Sequence, residues 1–474
     1  MALGLALGCR SSLPKPVEPL TRTPDSPALA QPPAFGAPAL RPPVVTREEL
    51  ANGLAVWIVE QTDAPFESIA YVDRAARDDA AEESRGLALF SAHALARGSN
   101  ELARASTPLV GTGLQGSLGD AGTFLRITVE AASAEPAMAR LAAAIRRPRL
   151  TPKLLEDVRR AELASIESLE HSGRALLTGL AAEQLYGAQS PATRSLLGTS
   201  HKVNWFVVDD VQRFLRGHYG PRTAALVLVG PLDRSGALGL AARHFGDWQA
   251  SSSESAPEGP ALVLPTAPKG LSIWAVDGGW SQAMMAFAWP CPRAVEPDAL
   301  AFNLLGSLLG GMVRSRIFVA LRETEGLSYH VFARCVERRE SATFLLTADA
   351  PSERVVEALR MTLYESSRVA NVQISAEELE TAKASVLADS ARKLGSTAGV
   401  AEQLGALFLA KLPHDYYATL EQRVRAVSAA DVLAVARRYL GGARGVAVGA
   451  EAYWILRYLS VDDVTWKTPS LSEH

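Results

Sequence analysis

The sequence predicts an α+β protein built from two homologous halves, each a mostly antiparallel β-sheet covered by helices. Three pairs of local patterns recur at a nearly constant separation along the chain. The apolar run Gly53–Val59 returns 217 residues later as Gly270–Val276, and both runs are rich in the β-branched and aromatic residues that favour strands. Such a repeat at a fixed offset is typical of a duplicated domain.

The other two pairs place helices at matching points of the two halves. Thr151-Pro152 and Ser375–Glu378 are both helix-start signals, and they lie 224 residues apart. The third pair is a helix with the strand that follows it, recurring at an offset of 221 residues: Asp210–Tyr219 with Ala225–Val229, and Asp431–Tyr439 with Gly445–Val448. Helices and strands mixed in this order favour helices packed on an antiparallel sheet.

These patterns divide the chain into five segments. Between the halves lies a stretch with three consecutive serines and four prolines, which is typical of an exposed linker. The predicted segments are a possible lipoprotein signal (1–9), a proline-rich tether (10–43), an N-terminal domain (44–249), a linker (250–268) and a C-terminal domain (269–474).

The N-terminus indicates export and anchoring. Residues 1–8 are small and apolar and end at Cys9, which resembles a bacterial lipoprotein signal with Cys9 as the lipidated residue. The stretch lacks a basic region and is short, so a chance apolar start remains the alternative. Ten prolines in residues 10–43 prevent helix and sheet and predict an extended tether. The expected location is the bacterial cell envelope, periplasmic or outer-membrane-anchored, with membrane contact only through this anchor.

Composition excludes several classes of protein. The 474 residues carry a formal net charge of −3, so no strong positive field is available to bind nucleic acid. Three cysteines cannot form a disulfide scaffold, and they do not have the spacing of a zinc cluster. The composition is otherwise that of an ordinary folded protein, so the function has to be inferred from particular residues.

Residues 86–99, GLALFSAHALARGS, carry the main functional signal. They resemble the signature of the insulinase/pitrilysin family of zinc peptidases, whose sites use an inverted H-x-x-E-H helix. Other stretches resemble the same family: Asn52-Gly53-Leu54, Leu197-Gly198-Thr199, and residues 315–329 with their pattern SRIFxxLRExxGLSY. The resemblance implies two homologous domains that form half of a clamshell chamber.

The catalytic positions of that signature are changed here. By the resemblance, Leu89 stands at the first histidine ligand and Ala92 at the glutamate base, and only His93 matches the second histidine. The third ligand aligns to Ser165 within a residue or two, with Glu162 and Glu167 close by. Catalytic zinc needs three protein ligands and a base for water, so we expect no metal in this chain and a structural role for His93.

The second half keeps a pair of residues to which the resemblance assigns a role in catalysis. Arg322 and Tyr329 match an arginine and a tyrosine of the family that face its zinc site, which implies that they hold substrate and stabilise an oxyanion. The alternative from the residues alone is an arginine paired with an acid and a tyrosine with a buried ring.

A changed zinc site together with a retained Arg322–Tyr329 pair resembles the non-catalytic subunit of heterodimeric members of the family, such as those similar to the mitochondrial processing peptidase. The resemblance implies no cofactor in this chain and zinc in the partner. It implies two partners: an active zinc-peptidase subunit with an intact H-x-x-E-H, and unfolded peptide substrate. The alternative is a scaffold or peptide-binding pseudopeptidase with no role in hydrolysis.

Overall fold

A computed structural model of the chain describes residues 40–74, 84–104, 110–119, 121–188, 190–249, 272–278, 280–338, 341–441, 444–459 and 464–467. The predicted signal with Cys9, the tether as far as residue 39 and the predicted linker 250–268 lie outside the described residues. Each predicted half contributes one six-stranded sheet to the described part.

The first half contains strands and helices in alternating groups. Its strands are β1 Thr46–Glu49, β2 Ala55–Glu60, β3 Phe66–Asp73, β4 Gln115–Gly119, β5 Gly122–Glu130 and β6 Ala224–Gly230. Its helices are α1 Leu87–Arg104, α2 Ala134–Arg146, α3 Pro152–Glu170, α4 Gly173–Tyr186, α5 Ser200–Trp205, α6 Val208–His218 and α7 Arg234–Phe245. The sheet order is β1-β2-β6-β3-β5-β4, and only the β2–β6 pair is parallel.

The second half repeats this arrangement. Its strands are β7 Ile273–Val276, β8 Ala283–Pro290, β9 Val331–Glu337, β10 Ala342–Ala350, β11 Gly445–Gly449 and β12 Val464–Trp466. Its helices are α8 Ala299–Gly306, α9 Arg316–Phe318, α10 Val355–Asn371, α11 Ala376–Lys393, α12 Thr397–Leu409, α13 Leu420–Ala426, α14 Ala429–Leu440 and α15 Ala452–Leu456. Helix α8 continues as a π-helical turn at Ser307–Gly311, and α9 continues as another at Val319–Thr324.

The two sheets share the same topology in five of their six strands. The second sheet has the order β12-β7-β11-β8-β10-β9, so β7, β11, β8, β10 and β9 take the places of β2, β6, β3, β5 and β4. The sixth strand differs: β1 precedes its neighbour in the chain and runs antiparallel to it, whereas β12 comes last and runs parallel to β7. The predicted α+β class with mostly antiparallel sheets is confirmed.

The predicted helix-start signals act as caps. The Thr151 hydroxyl accepts a hydrogen bond from the Leu154 amide at 3.2 Å, and Pro152 occupies the first position of α3. At the start of α11, the Glu378 amide donates to the Ser375 hydroxyl, and the Ser375 amide donates to the Glu378 carboxylate. Each cap satisfies amides that a helix leaves unpaired at its N-terminus, which fixes where α3 and α11 begin.

Helices α4 and α12, which occupy equivalent positions in the two halves, are exchanged between the sheets. Helix α4 of the first half packs on β8 and β11 of the second sheet, and α12 of the second half packs on β3 and β6 of the first. The approach of α4 is close: a Cβ on Gly445 in β11 would lie 1.7 Å from the carbonyl oxygen of Ala181. The exchange ties the halves together through apolar surface that each sheet would otherwise expose.

One helical stretch, Ala299–Thr324, has the length and apolar composition of a membrane-crossing helix among the described residues. About 61% of its apolar window is buried inside the fold, and the helix is interrupted at residues 312–315. Buried core helices pass the same length and composition criteria, and this stretch contributes Leu304, Leu305 and Leu309 to the core of the second half.

Candidate functional site

The helix that carries the predicted metal positions begins where two distant segments meet. Gly86, immediately before α1, has φ +89°, and a Cβ there would lie 2.7 Å from the Leu197 carbonyl oxygen. Gly198 has φ +74°, and a Cβ there would lie 2.6 Å from the Arg85 carbonyl oxygen. Both positions therefore require glycine. The Leu197-Gly198-Thr199 motif and the glycine that opens the 86–99 motif fix the start of α1 together.

The first-ligand and base positions of the predicted site are part of the hydrophobic core. Leu89 is 9% exposed and Ala92 is fully buried, both on α1. Neither side chain can bind a metal or move a proton. Leu89 lies four residues before His93, so the two share one face of the helix. The backbone that would present two imidazoles is thus kept, while one of the imidazoles is absent.

His93 pairs with a carboxylate from α3. Its Nδ1 atom is in hydrogen-bond contact with Oε1 of Glu162. The imidazole is 41% exposed, whereas the Glu162 side chain is only 3% exposed. A buried carboxylate without a partner is costly, and His93 supplies that partner. The expected structural role of His93 therefore takes a specific form: it links α1 to α3.

The carboxylate of α3 that meets His93 is Glu162, whereas Ser165, the residue expected at the third-ligand position, does not face α1. Ser165 is exposed, and its hydroxyl donates to the Ala161 carbonyl oxygen of its own helix at 3.0 Å. The buried residues of α3 are Leu154, Leu155, Val158, Glu162 and Ile166. Their spacing of three and four residues defines the inward stripe of the helix, and position 165 lies off it. The same periodicity in the sequence could have selected Glu162.

A cavity of about 350 Å³ opens beside this pair, between α1 and α3. It is lined by small and apolar residues and by His93 with three further polar residues: Ala96, Val158, Ala161, Arg97, Asn100 and Glu101. The Arg97 guanidinium lies 3.8 Å from the Asp157 carboxylate. The cavity is thus shaped by two helices and is lined by one imidazole, whose Nε2 atom has no hydrogen-bond partner among the residues that the structure describes.

The residues present do not fit a catalytic zinc ion. Among the described residues, no group of three or more His, Cys, Asp or Glu side chains could hold a metal. Only His93 and Glu162 of the expected ligand set meet, whereas a catalytic zinc is held by three protein ligands. At the base position, Ala92 offers no proton acceptor for water.

The second half places Arg322 and Tyr329 side by side on its surface. The Arg322 guanidinium carbon lies 5.4 Å from the centre of the Tyr329 ring and 5.0 Å from the centre of the Phe318 ring. Tyr329 is 82% exposed, so its ring is not a core residue. Within the described part of the chain, Arg322 stacks on these rings and makes no ion pair. Sequence reasoning had selected Arg322 and Tyr329 but missed Phe318.

His330, the residue after Tyr329, connects this loop to strand β10 of the same half. His330 Nε2 lies 3.1 Å from the Thr347 hydroxyl of β10. Two positions along β10, Asp349 forms an ion pair at 2.9 Å with Arg174, at the start of the exchanged helix α4. Burial and the nearby Arg174 charge lower the pKa of His330, which favours a neutral imidazole at neutral pH. The Arg322–Tyr329 loop is therefore joined through His330 to β10, and β10 in turn is paired with α4 through Asp349.

Comparison with protein families finds a match to the Peptidase M16 inactive domain over residues 206–386. The chain is 25% identical over 290 residues to an uncharacterized zinc protease of Streptomyces coelicolor, covering 60% of this chain and 63% of that protein. It is 24% identical over 258 residues to an uncharacterized zinc protease of Mycobacterium tuberculosis, covering 54% of this chain and 58% of that protein. The chain thus spans about 60% of the length of these curated relatives.

Solved structures share the fold. A crystal structure of a peptidase M16 inactive domain from Pseudomonas fluorescens superposes with a TM-score of 0.76 at 20% identity, covering 86% of this chain and 98% of that one. A protease from Helicobacter pylori superposes with a TM-score of 0.74 at 15% identity, covering 86% of this chain and 100% of that one. The two helix-covered sheets are therefore those of known M16 domains.

Proposed function

We propose that this protein of the Peptidase M16 (insulinase/pitrilysin) family is a non-catalytic subunit that pairs with an active zinc-peptidase chain. In this proposal the partner contains the intact H-x-x-E-H helix and the zinc, and the two chains enclose unfolded peptide between them. The present chain contributes Arg322 and Tyr329. One observation carries the proposal. Leu89 and Ala92 are buried at the positions expected for a metal ligand and a base, whereas Arg322 and Tyr329 form an exposed pair.

The chemistry assigned to the pair follows from its donors. A guanidinium has five N–H groups and a phenol has one O–H, and neither group is placed to accept a proton from water at neutral pH. Both can donate hydrogen bonds to the carbonyl oxygen of a bound peptide, where negative charge develops during hydrolysis. Because Arg322 makes no ion pair within the described residues, its charge is available to substrate.

The test is Arg322→Ala and, separately, Tyr329→Phe in the complex purified with its partner through a tag on this chain. We expect each change to lower kcat at least about tenfold, because a donor to the developing oxyanion is lost. Tyr364→Phe is the matched control, since Tyr364 is also an exposed phenol of the second half, at 64% exposure. Unchanged rates in an intact complex would favour the scaffold alternative.

The isolated chain provides a second test. Purified without its partner, it is expected to hydrolyse no peptide, because Leu89 stands in place of the first histidine ligand and Ala92 in place of the base. Hydrolysis that a chelator abolishes would contradict the proposal.

A further inference from the structure

We propose that Phe318 is a positioning residue for Arg322: its ring holds the guanidinium beside Tyr329, in the place from which both side chains reach a peptide carbonyl. This inference rests on the function proposed for Arg322 and Tyr329. It adds a third residue, which contacts neither the reacting atoms nor the substrate and acts only through Arg322.

The backbone around the pair is already held in place. The carbonyl oxygen of Leu321 accepts hydrogen bonds from the amides of Leu327, at 2.6 Å, and Ser328, at 3.2 Å. Leu321 is fully buried and Leu327 is 4% exposed, so the reversal between Arg322 and Tyr329 is anchored in the core. Gly326 permits this reversal because its φ is +64°. The Cα positions of Arg322 and Tyr329 are therefore fixed by packing.

The Arg322 side chain itself is not fixed by that packing. It is exposed and has several rotatable bonds, so its guanidinium could occupy many places around a fixed Cα. The contacts that the structure gives it are with two aromatic rings, Phe318 at 5.0 Å and Tyr329 at 5.4 Å from the guanidinium carbon. Both distances lie within the range of a cation–π interaction.

Phe318 is suited to hold Arg322 because it is less mobile than the side chain it contacts. It is half-buried at the end of α9, next to fully buried Ile317, and it precedes Arg322 by four residues. The π-helical turn Val319–Thr324 begins directly after Phe318 and contains Arg322, and the ring centre lies 5.0 Å from the guanidinium carbon. Such turns are frequent at functional sites.

The first arm of the test uses the isolated chain. Reaction of Arg322 with phenylglyoxal is followed by peptide mass spectrometry in the wild type, in Phe318→Leu, which keeps apolar bulk but removes the ring, and in Phe318→Tyr, which keeps it. We expect Phe318→Leu to speed modification of Arg322 about two- to fivefold and Phe318→Tyr to leave it unchanged. Phe332→Leu is the matched control, because Phe332 lies 5.8 Å from a different guanidinium, that of Arg334.

The second arm measures peptide hydrolysis by the complex with the partner. We expect Phe318→Leu to lower kcat two- to fivefold with KM nearly unchanged, and Phe318→Tyr to restore the wild-type rate. The proposal is overturned if Arg322 is modified equally fast in Phe318→Leu and wild type, or if kcat is unaffected while Arg322→Ala lowers it. If Arg322→Ala also leaves kcat unchanged, the proposed function fails, and the positioning role fails with it.

Discussion

The two halves of this protein share a fold but differ in the burial of the residues at which the sequence predicts function. In the first half, Leu89 and Ala92 of α1 are buried, so the side chains at the positions expected for a metal ligand and a base contribute to apolar packing. In the second half, Arg322 and Tyr329 stay exposed on a buried backbone reversal. An exposed aromatic ring contributes little to stability. Packing therefore explains the first set of residues and does not explain the second, for which the proposed contact with peptide offers a reason.

The comparison also shows how much of the first-half site remains. Glu162 is buried and contacts His93, so α1 and α3 bring an imidazole and a carboxylate together. Whether these two helices could hold a metal if a histidine stood at position 89 can be tested directly.

The largest expected effect is a gain of metal binding on Leu89→His. The substitution adds an imidazole four residues before His93, on the same face of α1 and opposite Glu162, which completes a set of three ligands. Zinc content after dialysis, measured by elemental analysis, should rise to about one ion per chain. Peptide hydrolysis should remain absent, because Ala92 is still not a base.

The control for this gain is Leu89→His combined with Glu162→Gln. The amide removes the anionic ligand while keeping its shape, so binding should fall back to the wild-type level. If Leu89→His alone binds no zinc, α1 and α3 do not bring the three ligands into the geometry of a metal site.

The next effect concerns Glu67, which marks a further difference between the two sheets. Glu67 is the second residue of β3, and the apolar residue Met284 is second in the equivalent strand β8. Burial raises the pKa of the Glu67 carboxyl from its ordinary value of 4.5 to about 7, against a partial lowering by the Leu232 amide. Its Oε1 atom is buried without a hydrogen-bond partner among the described residues. The first half therefore contains a carboxyl that is more easily ionised after unfolding.

Glu67→Gln should consequently stabilise the protein at alkaline pH. A carboxyl with a raised folded-state pKa contributes its full stability below the unfolded value of 4.5, and that stability is lost as pH rises through about 7. The shift corresponds to about 3 kcal/mol at pH 9, and the gain should fall below about 1 kcal/mol at pH 5. Urea unfolding at both pH values measures it. The exposed Glu49→Gln serves as control, and an equal gain from both substitutions would contradict a burial effect.

The sequence predicted the duplicated strands well because burial on both faces leaves a continuous apolar run, as in β6. Helix caps such as Thr151 and Ser375 are predictable as well, because a cap depends only on residues within the same turn of the chain. The exchange of α4 and α12 was not predicted, because an apolar helix face does not say which sheet covers it. The family pattern places the third ligand only to within a residue or two of Ser165, and the inward stripe of α3 shows that Glu162 is the nearby carboxylate that meets His93. Phe318 was missed since a cation–π contact has no sequence signature beyond spacing.

The smallest of these effects isolates the remainder of the first-half site. His93→Ala leaves the buried Glu162 carboxylate without its partner, which should lower the free energy of unfolding by about 2 kcal/mol, a value moderated by the exposure of His93. Combining it with Glu162→Leu removes both polar groups and should restore most of that loss. A double-mutant cycle by urea unfolding measures the coupling. Additive effects would mean that His93 and Glu162 do not stabilise one another, and that their contact does not help to hold α1 against α3.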